Sequence, residues 1–226
     1  MSDNPFDSKF EDLPAELPLF PLNGVLLLPR GRLPLNVFEP RYLNMVEHAL
    51  GHQRLIGIVQ PMVDGQAGLS APDGTALYHV GCAGRITSFQ ETTGGQIQLI
   101  LRGVCRFDII DELPLMNDFR RARSDFTPYK NDFSSEDGTT IDRQRLLSDL
   151  RAYFDMENIE VDWEMIKQTP DDRLVTTLAM VCPFEPNEKQ ALLESADLAH
   201  RCKLIIGLIE SALRRDDDNG GTAAMN

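Results

Sequence analysis

Residues 17–38 read LPLFPLNGVLLLPRGRLPLNVF, an apolar stretch cut repeatedly by proline. Each proline fixes its own φ and pushes the preceding residue toward extended geometry, so this stretch cannot become one long helix. The pattern predicts three extended pieces. LPLFPL is the first. GVLLLP is a short buried strand closed by the turn PRGR, and LPLNVF alternates, with Leu33, Leu35 and Val37 on one face. Prolines in or beside strands put them at edges or bulges.

At Pro40 the period changes. Leu43, Val46 and Leu50 recur at helical spacing, Pro40 suits the first helical position, and Gly51 suits the stop. Strands follow in RLIGIVQP, in ALYHVGCAGRITSFQET around Gly81 and Gly84, in GGQIQLILRGVCRFDIIDEL, and in FRRARSDFTPY. In the third of these Ile97, Leu99 and Leu101 face one way, and Gly94-Gly95 before it signals a hairpin turn. Many short strands with glycine at the bends predict a curled sheet or partly closed barrel rather than a doubly wound parallel sheet.

The second half changes character. IDRQRLLSDLRAYFDM sets Leu146, Leu147, Leu150, Tyr153 and Phe154 on one helical stripe. A short turn follows, opened by Asp162. The next helix has Thr169 as its N-cap and Pro170 at its first position. PNEKQALLES is a further short helix, and ADLAHRCKLIIGLIESALRR is the longest. The expected division is a disordered acidic leader over 1–16, a β domain over 17–126, a helical subdomain over 127–215 and a disordered tail over 216–226.

Charge sharpens this division. The net charge of −13 is carried by the ends and the second half, while residues 17–126 hold ten Arg, no Lys and ten acidic residues. An acidic chain is repelled by phosphate backbones, which counts against non-specific nucleic-acid binding. Cys82, Cys105, Cys182 and Cys202 form no CxxC pair. With no secretory signal pattern, the expectation is reduced core thiols in a cytoplasmic protein. No apolar run approaches the ~20 residues of a membrane span.

Chemistry is sparse. There is no GxxxxGK[ST] phosphate loop and no GxSxG nucleophile elbow. His48 and His52 stand four apart, which suits two ligands on a helical face, but Gly51 between them ends the helix and no HExxH pattern is present. The expectation is no metal and no cofactor. The RRARS segment hints at RNA, but Asp118 and Asp125 flank it, and a solvated strand face is the plainer reading. Glu39 and Arg41 flank Pro40 at a strand–helix corner. One reading makes this corner a partner-contacting rim. The other makes it a structural device, in which Glu39 bonds the free N–H groups of the helix start and Arg41 pairs with a carboxylate or carbonyl.

The segments LPLFPL and FEPRY resemble the opening of the Lon protease N-terminal, substrate-binding domain. IGIVQP, VGCAGRI and LRGVCRFDI are similar to its later strands, and NEKQALLESADLAHRCKLIIGLIE to its helical end. The resemblance covers about residues 17–213. It implies an α+β fold: a PUA-like, partly closed β-barrel domain with one short helix, followed by an α-helical bundle. It also implies a module that helps recognise unfolded or tagged polypeptides. The ATPase and Ser/Lys peptidase modules of the full protease are not in this sequence, so the expectation is a non-catalytic binding module, acting alone as an adaptor or regulator of protein turnover.

The expected partners are unfolded or extended polypeptide segments, with a protease or chaperone as further partners, and no membrane; the oligomeric state stays open. Phe38, Glu39, Arg41 and Tyr42 are the candidate binding residues, with Phe20, Val37 and Phe38 as the apolar surface. The alternative is a PUA-like RNA-binding protein, weakly favoured by the ten arginines and opposed by the overall acidity.

Overall fold

The computed structural model describes residues 8–63, 72, 74–134 and 139–223, with side chains as far as Arg215. It divides into two compact units, residues 1–135 and 136–226. Among the described residues the first carries six strands: β1 Glu16–Pro21, β2 Arg32–Val37, β3 Leu55–Val59, β4 Val80–Glu91, β5 Ile97–Met116 and β6 Phe119–Asp125. One helix, α1 Pro40–Leu50, lies between β2 and β3.

The sheet order is β2-β5-β4-β3-β1-β6, with β5 and β6 also paired. The long β5 is therefore used twice. Its first part pairs with β4, and Asp108–Met116 pairs with β6. Register shifts in both pairings supply the bends that curl the sheet into a partly closed barrel. Inside lie Leu17, Leu19, Leu55, Val59, Leu77, Ala83, Cys105, Phe107, Ala122 and Phe126.

The prolines fall differently from the edge placement the sequence suggests. β2 is an edge strand, but β1 is interior. It pairs antiparallel with β6 over Glu16–Pro18 and parallel with β3 over Leu19–Pro21. Changing partner midway leaves each proline free on one side, so neither missing N–H breaks a ladder.

GVLLLP does not form a strand. Its Leu26, Leu27 and Leu28 are buried, but the segment runs outside the ladders. Gly24 N–H donates to Gln60 Oε1 at 2.9 Å, and Arg30 N–H donates to the Gly103 carbonyl at 2.8 Å. The segment is a buried strap across the sheet, and the run of leucines reflects burial rather than pairing.

The chain before β1 is likewise not wholly a free leader. Phe10–Asp12 forms a 3-10 turn, and Phe10 and Leu13 pack against the barrel core. Phe10 meets Phe133 edge to face at 5.8 Å. Phe133 closes a second 3-10 segment, Thr127–Phe133, which lies within the first compact unit although the sequence reading assigned it to the helical part. The reason is a buried ion pair: Asp132 meets Arg106 of β5 at 2.8 Å.

The second unit is helical: α2 Arg143–Met156, α3 Trp163–Gln168, α4 Asp171–Val181, α5 Pro186–Glu194 and α6 Leu198–Ala223. α2, α4 and α5 each pack against α6. Leu146, Leu150, Val175, Leu192, Ile205 and Ile209 are buried among them. Asp162 caps α3, its carboxylate accepting from the N–H groups of Glu164 and Met165. Pro170, not Thr169, is the N-cap of α4; the Thr169 hydroxyl instead donates back to the Met165 carbonyl at 2.8 Å. Glu185 and Glu188 form a capping box on α5. Arg201 of α6 is buried and donates to the Leu192 carbonyl at 2.9 Å, which ties α6 to α5. α6 continues its backbone through Ala223, past the limit expected from the acidic tail. Residues 1–7 and 224–226 lie outside the described residues.

Among the described residues no helix is long and apolar enough to cross a membrane. All four cysteines are free and buried. Burial pushes the Cys105 and Cys182 thiols up to about 12 and that of Cys202 to about 11. These are poor nucleophiles near neutrality.

Candidate functional site

The four candidate residues form one corner with divided roles. Phe38, just past the end of β2, is 60% exposed. Glu39 is the N-cap of α1, but its side chain makes no capping bond. The carboxylate turns instead to Arg41, 3.0 Å away, and the Glu39 backbone carbonyl accepts from the Tyr42 and Leu43 N–H groups. This corrects the expectation that Glu39 bonds the helix start through its side chain: the neighbouring guanidinium is the stronger partner. Arg41 also lies 4.7 Å over the Tyr42 ring. Tyr42 is 4% exposed and packs against Phe20 at 4.3 Å between centroids.

Glu39, Arg41 and Tyr42 are thus engaged in building the corner, and Phe38 is what the corner presents. Phe20 and Val37, expected at an apolar surface, are buried in the core.

Another apolar feature comes from sheet register. Leu35 of β2, Leu99 of β5 and Phe89 of β4 stand directly opposite one another across three strands. Leu99 is buried, Leu35 is half-buried, and Phe89 is 45% exposed. Leu33 lies on the same face of β2, opposite Leu101. The row ends at the edge strand β2, whose outer side pairs with no other strand among the described residues. Phe89 was missed in the sequence; an alternation count through SFQE would have marked it, but not its face.

Of the arginines in residues 17–126, Arg41, Arg106, Arg120, Arg121 and Arg123 are paired to carboxylates, which counts against the basic face that RNA binding calls for. In RRARS, Arg121 meets Glu16 at 3.2 Å and Arg123 meets Asp111 at 3.3 Å. That segment is a neutralised strand face.

His48 and His52 stack on each other at 4.1 Å, and His52 Nδ1 lies 2.7 Å from the His48 carbonyl oxygen. Among the described residues no group of three or more His, Cys, Asp or Glu side chains is arranged to hold a metal ion. Burial first, then the His52 and Arg121 charges, lower the His48 pKa. The unfolded chain then takes up a proton on His48 more readily than the folded one, so this group's contribution to stability falls as pH drops through the ordinary histidine range near ~6.5. The melting temperature should decrease between about pH 7.5 and about pH 5.5, and His52→Gln should shrink that decrease. Melting curves at the two pH values test this; an unchanged slope in the variant refutes the coupling.

A family model described as the ATP-dependent protease La (LON) substrate-binding domain matches residues 16–211. This chain belongs to that family. The Lon resemblance carried by LPLFPL, FEPRY and the later segments is therefore the true relationship. Lon protease 2 of Myxococcus xanthus is 28% identical over 204 residues, covering 88% of this chain and 24% of that protein. Lon protease of Anaeromyxobacter dehalogenans is 25% identical over 202 residues, covering 88% of this chain and 23% of its own length. The chain spans about a quarter of the curated Lon proteases it matches, and the matched part is the Lon substrate-binding region.

Two solved structures share the Lon N-terminal fold. The Lon N-terminal domain protein from Xanthomonas campestris aligns with a TM-score of 0.57 at 21% identity, covering 85% of this chain and 97% of that one. The N-terminal domain of the Mycobacterium avium complex Lon protease aligns at 0.59 and 15% identity, covering 86% and 98%. At these identities the likeness establishes the fold, which is the α+β architecture of a curled sheet and helices.

Proposed function

We propose that this Lon-type domain is a non-catalytic module that binds extended or unfolded polypeptide segments, and that it serves protein turnover in the cytoplasm as an adaptor or regulator. The observation that carries the reading is the row Leu35–Leu99–Phe89, which keeps its outer members accessible and ends at β2, an edge strand among the described residues. Such an edge accepts an extended chain by backbone hydrogen bonding, and an apolar row takes alternate side chains. Phe38, held at the rigid β2–α1 corner, adds an aromatic anchor at little entropic cost. The family's description as a substrate-binding domain supports the same reading.

Binding is measured by the fluorescence anisotropy of a labelled, reduced and carbamidomethylated protein that cannot refold. Saturable binding is expected, and the double variant Phe38→Ser/Phe89→Ser should weaken it by about tenfold or more, since each aromatic side chain removed from contact is worth roughly 1.5–3 kcal/mol. Both rings are exposed, so the variant should fold. No binding across several unfolded polypeptides refutes the proposal.

A further inference from the structure

The outer edge of β2 offers fewer hydrogen-bond donors than acceptors. β2 pairs with β5 from Arg32↔Arg102 to Val37↔Ile97 without a register shift. One step before, the Gly103 N–H donates to the Gly31 carbonyl at 2.9 Å. Residues of an antiparallel strand turn their N–H and C=O alternately toward one neighbour and away from it. Leu33, Leu35 and Val37 therefore follow Gly31 in facing β5, and Arg32, Pro34 and Asn36 face outward. That outer side pairs with no other strand among the described residues. It presents three backbone carbonyls but only two backbone N–H groups, because Pro34, in the middle, has none.

Edge strands are kept from pairing with other chains by charge, by bulges or by proline. β2 reads RLPLNV, with one charged residue, and its ladder with β5 carries no bulge. Proline is the device left at this edge, and it acts differently on two kinds of incoming strand. A second copy of β2 docking antiparallel over all three outward residues sets Arg32 opposite Asn36 and Pro34 opposite Pro34. Both middle donors are then missing, and two rings meet at the centre. A guest strand from another polypeptide brings its own N–H to the Pro34 carbonyl. Only the guest's middle carbonyl then finds no donor.

We infer that Pro34 is the specificity-determining residue of the β2 edge: it excludes the β2 of a second copy and holds an extended guest polypeptide one backbone bond short of a full ladder. The inference rests on the proposed binding of polypeptides at this edge, and adds which strand is refused and how firmly the other is held. Outward residues recur about every 7 Å along a strand, so a guest of about five residues covers Arg32, Pro34 and Asn36. Its bonds to the Arg32 and Asn36 backbones flank the gap on either side. A carbonyl left without a donor opposes docking, so the guest leaves faster than it would from an unbroken edge. The Pro34 ring is exposed on the face opposite the Leu35–Leu99–Phe89 row, so the missing donor, not the ring, is what Pro34 brings to the site. Backbone bonding gives affinity without reading the guest's sequence. An edge that takes many sequences and releases them suits a polypeptide in transit.

The test restores the donor. Pro34→Thr and Pro34→Ala each put an N–H at the middle of the edge, and Asn36→Pro takes one away. None of the three removes a backbone bond to β5, so all should melt within about 4 °C of the parent. Anisotropy titration of the full chain with the labelled, carbamidomethylated protein should show about tenfold tighter binding for both Pro34 variants, the gain lying in the dissociation rate. Asn36→Pro should bind about tenfold more weakly. A merely structural role for Pro34 would not make its loss tighten binding. Sedimentation velocity over a concentration series should show self-association in both Pro34 variants beyond that of the parent. Parent binding that neither Pro34 variant tightens, or Pro34 variants no more self-associated than the parent, overturns the inference and leaves the earlier proposal standing. No binding by the parent or by any variant defeats the earlier proposal, and the guest half of this inference with it. The parent's own binding curve tells the two failures apart.

Discussion

Gly103→Ala should leave almost no folded protein. A Cβ on Gly103 would stand 1.9 Å from the Leu28 carbonyl oxygen, 2.7 Å from its carbon and 3.2 Å from Pro29 Cα. These are backbone atoms, so no rotamer change relieves the overlap. The strap must move away from the sheet instead. That breaks the bonds from Arg30 N–H to the Gly103 carbonyl and from Gly103 N–H to the Gly31 carbonyl, at 2.8 and 2.9 Å. It also lifts Leu26, Leu27 and Leu28 out of the core. Together these losses should exceed about 4 kcal/mol, a large part of the ~5–15 kcal/mol that holds a domain folded.

Gly84→Ala is the comparison. Its nearest clash, at 2.6 Å, is with the end of the Leu27 side chain, which can swing aside. A cost of about 1–3 kcal/mol is expected there. Urea unfolding followed by circular dichroism measures both. A Gly103→Ala protein within about 1 kcal/mol of the parent would mean that the strap is not seated as described.

Asp132→Ala should be the next most damaging change. Asp132 accepts from Arg106 Nε at 3.1 and 3.2 Å, from Arg106 Nη2 at 2.8 Å, and from the Arg106 backbone N–H at 2.9 Å. Both side chains are 8% exposed, and Arg106 also lies 4.8 Å over the Tyr129 ring. Removing the carboxylate leaves a buried cation without its counter-charge, a loss of about 3–5 kcal/mol. It also frees the 127–133 segment that Asp132 pins to β5. Replacing both partners, as Arg106→Met/Asp132→Leu, should cost less than Asp132→Ala alone, because no charge is then stranded. Denaturant midpoints for the single and double variants decide it. A double variant weaker than Asp132→Ala contradicts the assignment of the cost to the stranded charge.

What the sequence made legible depended on how local the signal was. α1 runs from Pro40 to Leu50, as its helical period and its bracketing Pro40 and Gly51 require. The apolar row on which the proposed function rests depended on register instead. A two-residue turn at Gly94-Gly95 would set Phe89 opposite Ile100. The actual loop closes with the Thr92 N–H on the Gln96 carbonyl and with Gly95 at φ 71°, and it sets Phe89 opposite Leu99. One residue of slip moves every side chain to the other face. The apolar row cannot be assembled until that slip is known. Arg106–Asp132 was hidden for a related reason: its partners are 26 residues apart, and nothing in the local pattern links them. The Phe20 and Tyr42 rings looked alike in the sequence as candidates for contact, and their burial against each other assigns both to the interior.

The position of β1 between β3 and β6 governs the order in which a growing polypeptide acquires this architecture. Glu16 pairs with Arg123, so the opening residues must wait until more than a hundred others have left the ribosome. Until then one flank of β1 stays unsatisfied, and closing so long a loop makes the last step slow. A nascent chain arrested before Phe119 therefore exposes an adhesive strand, which is the kind of species that chaperones engage.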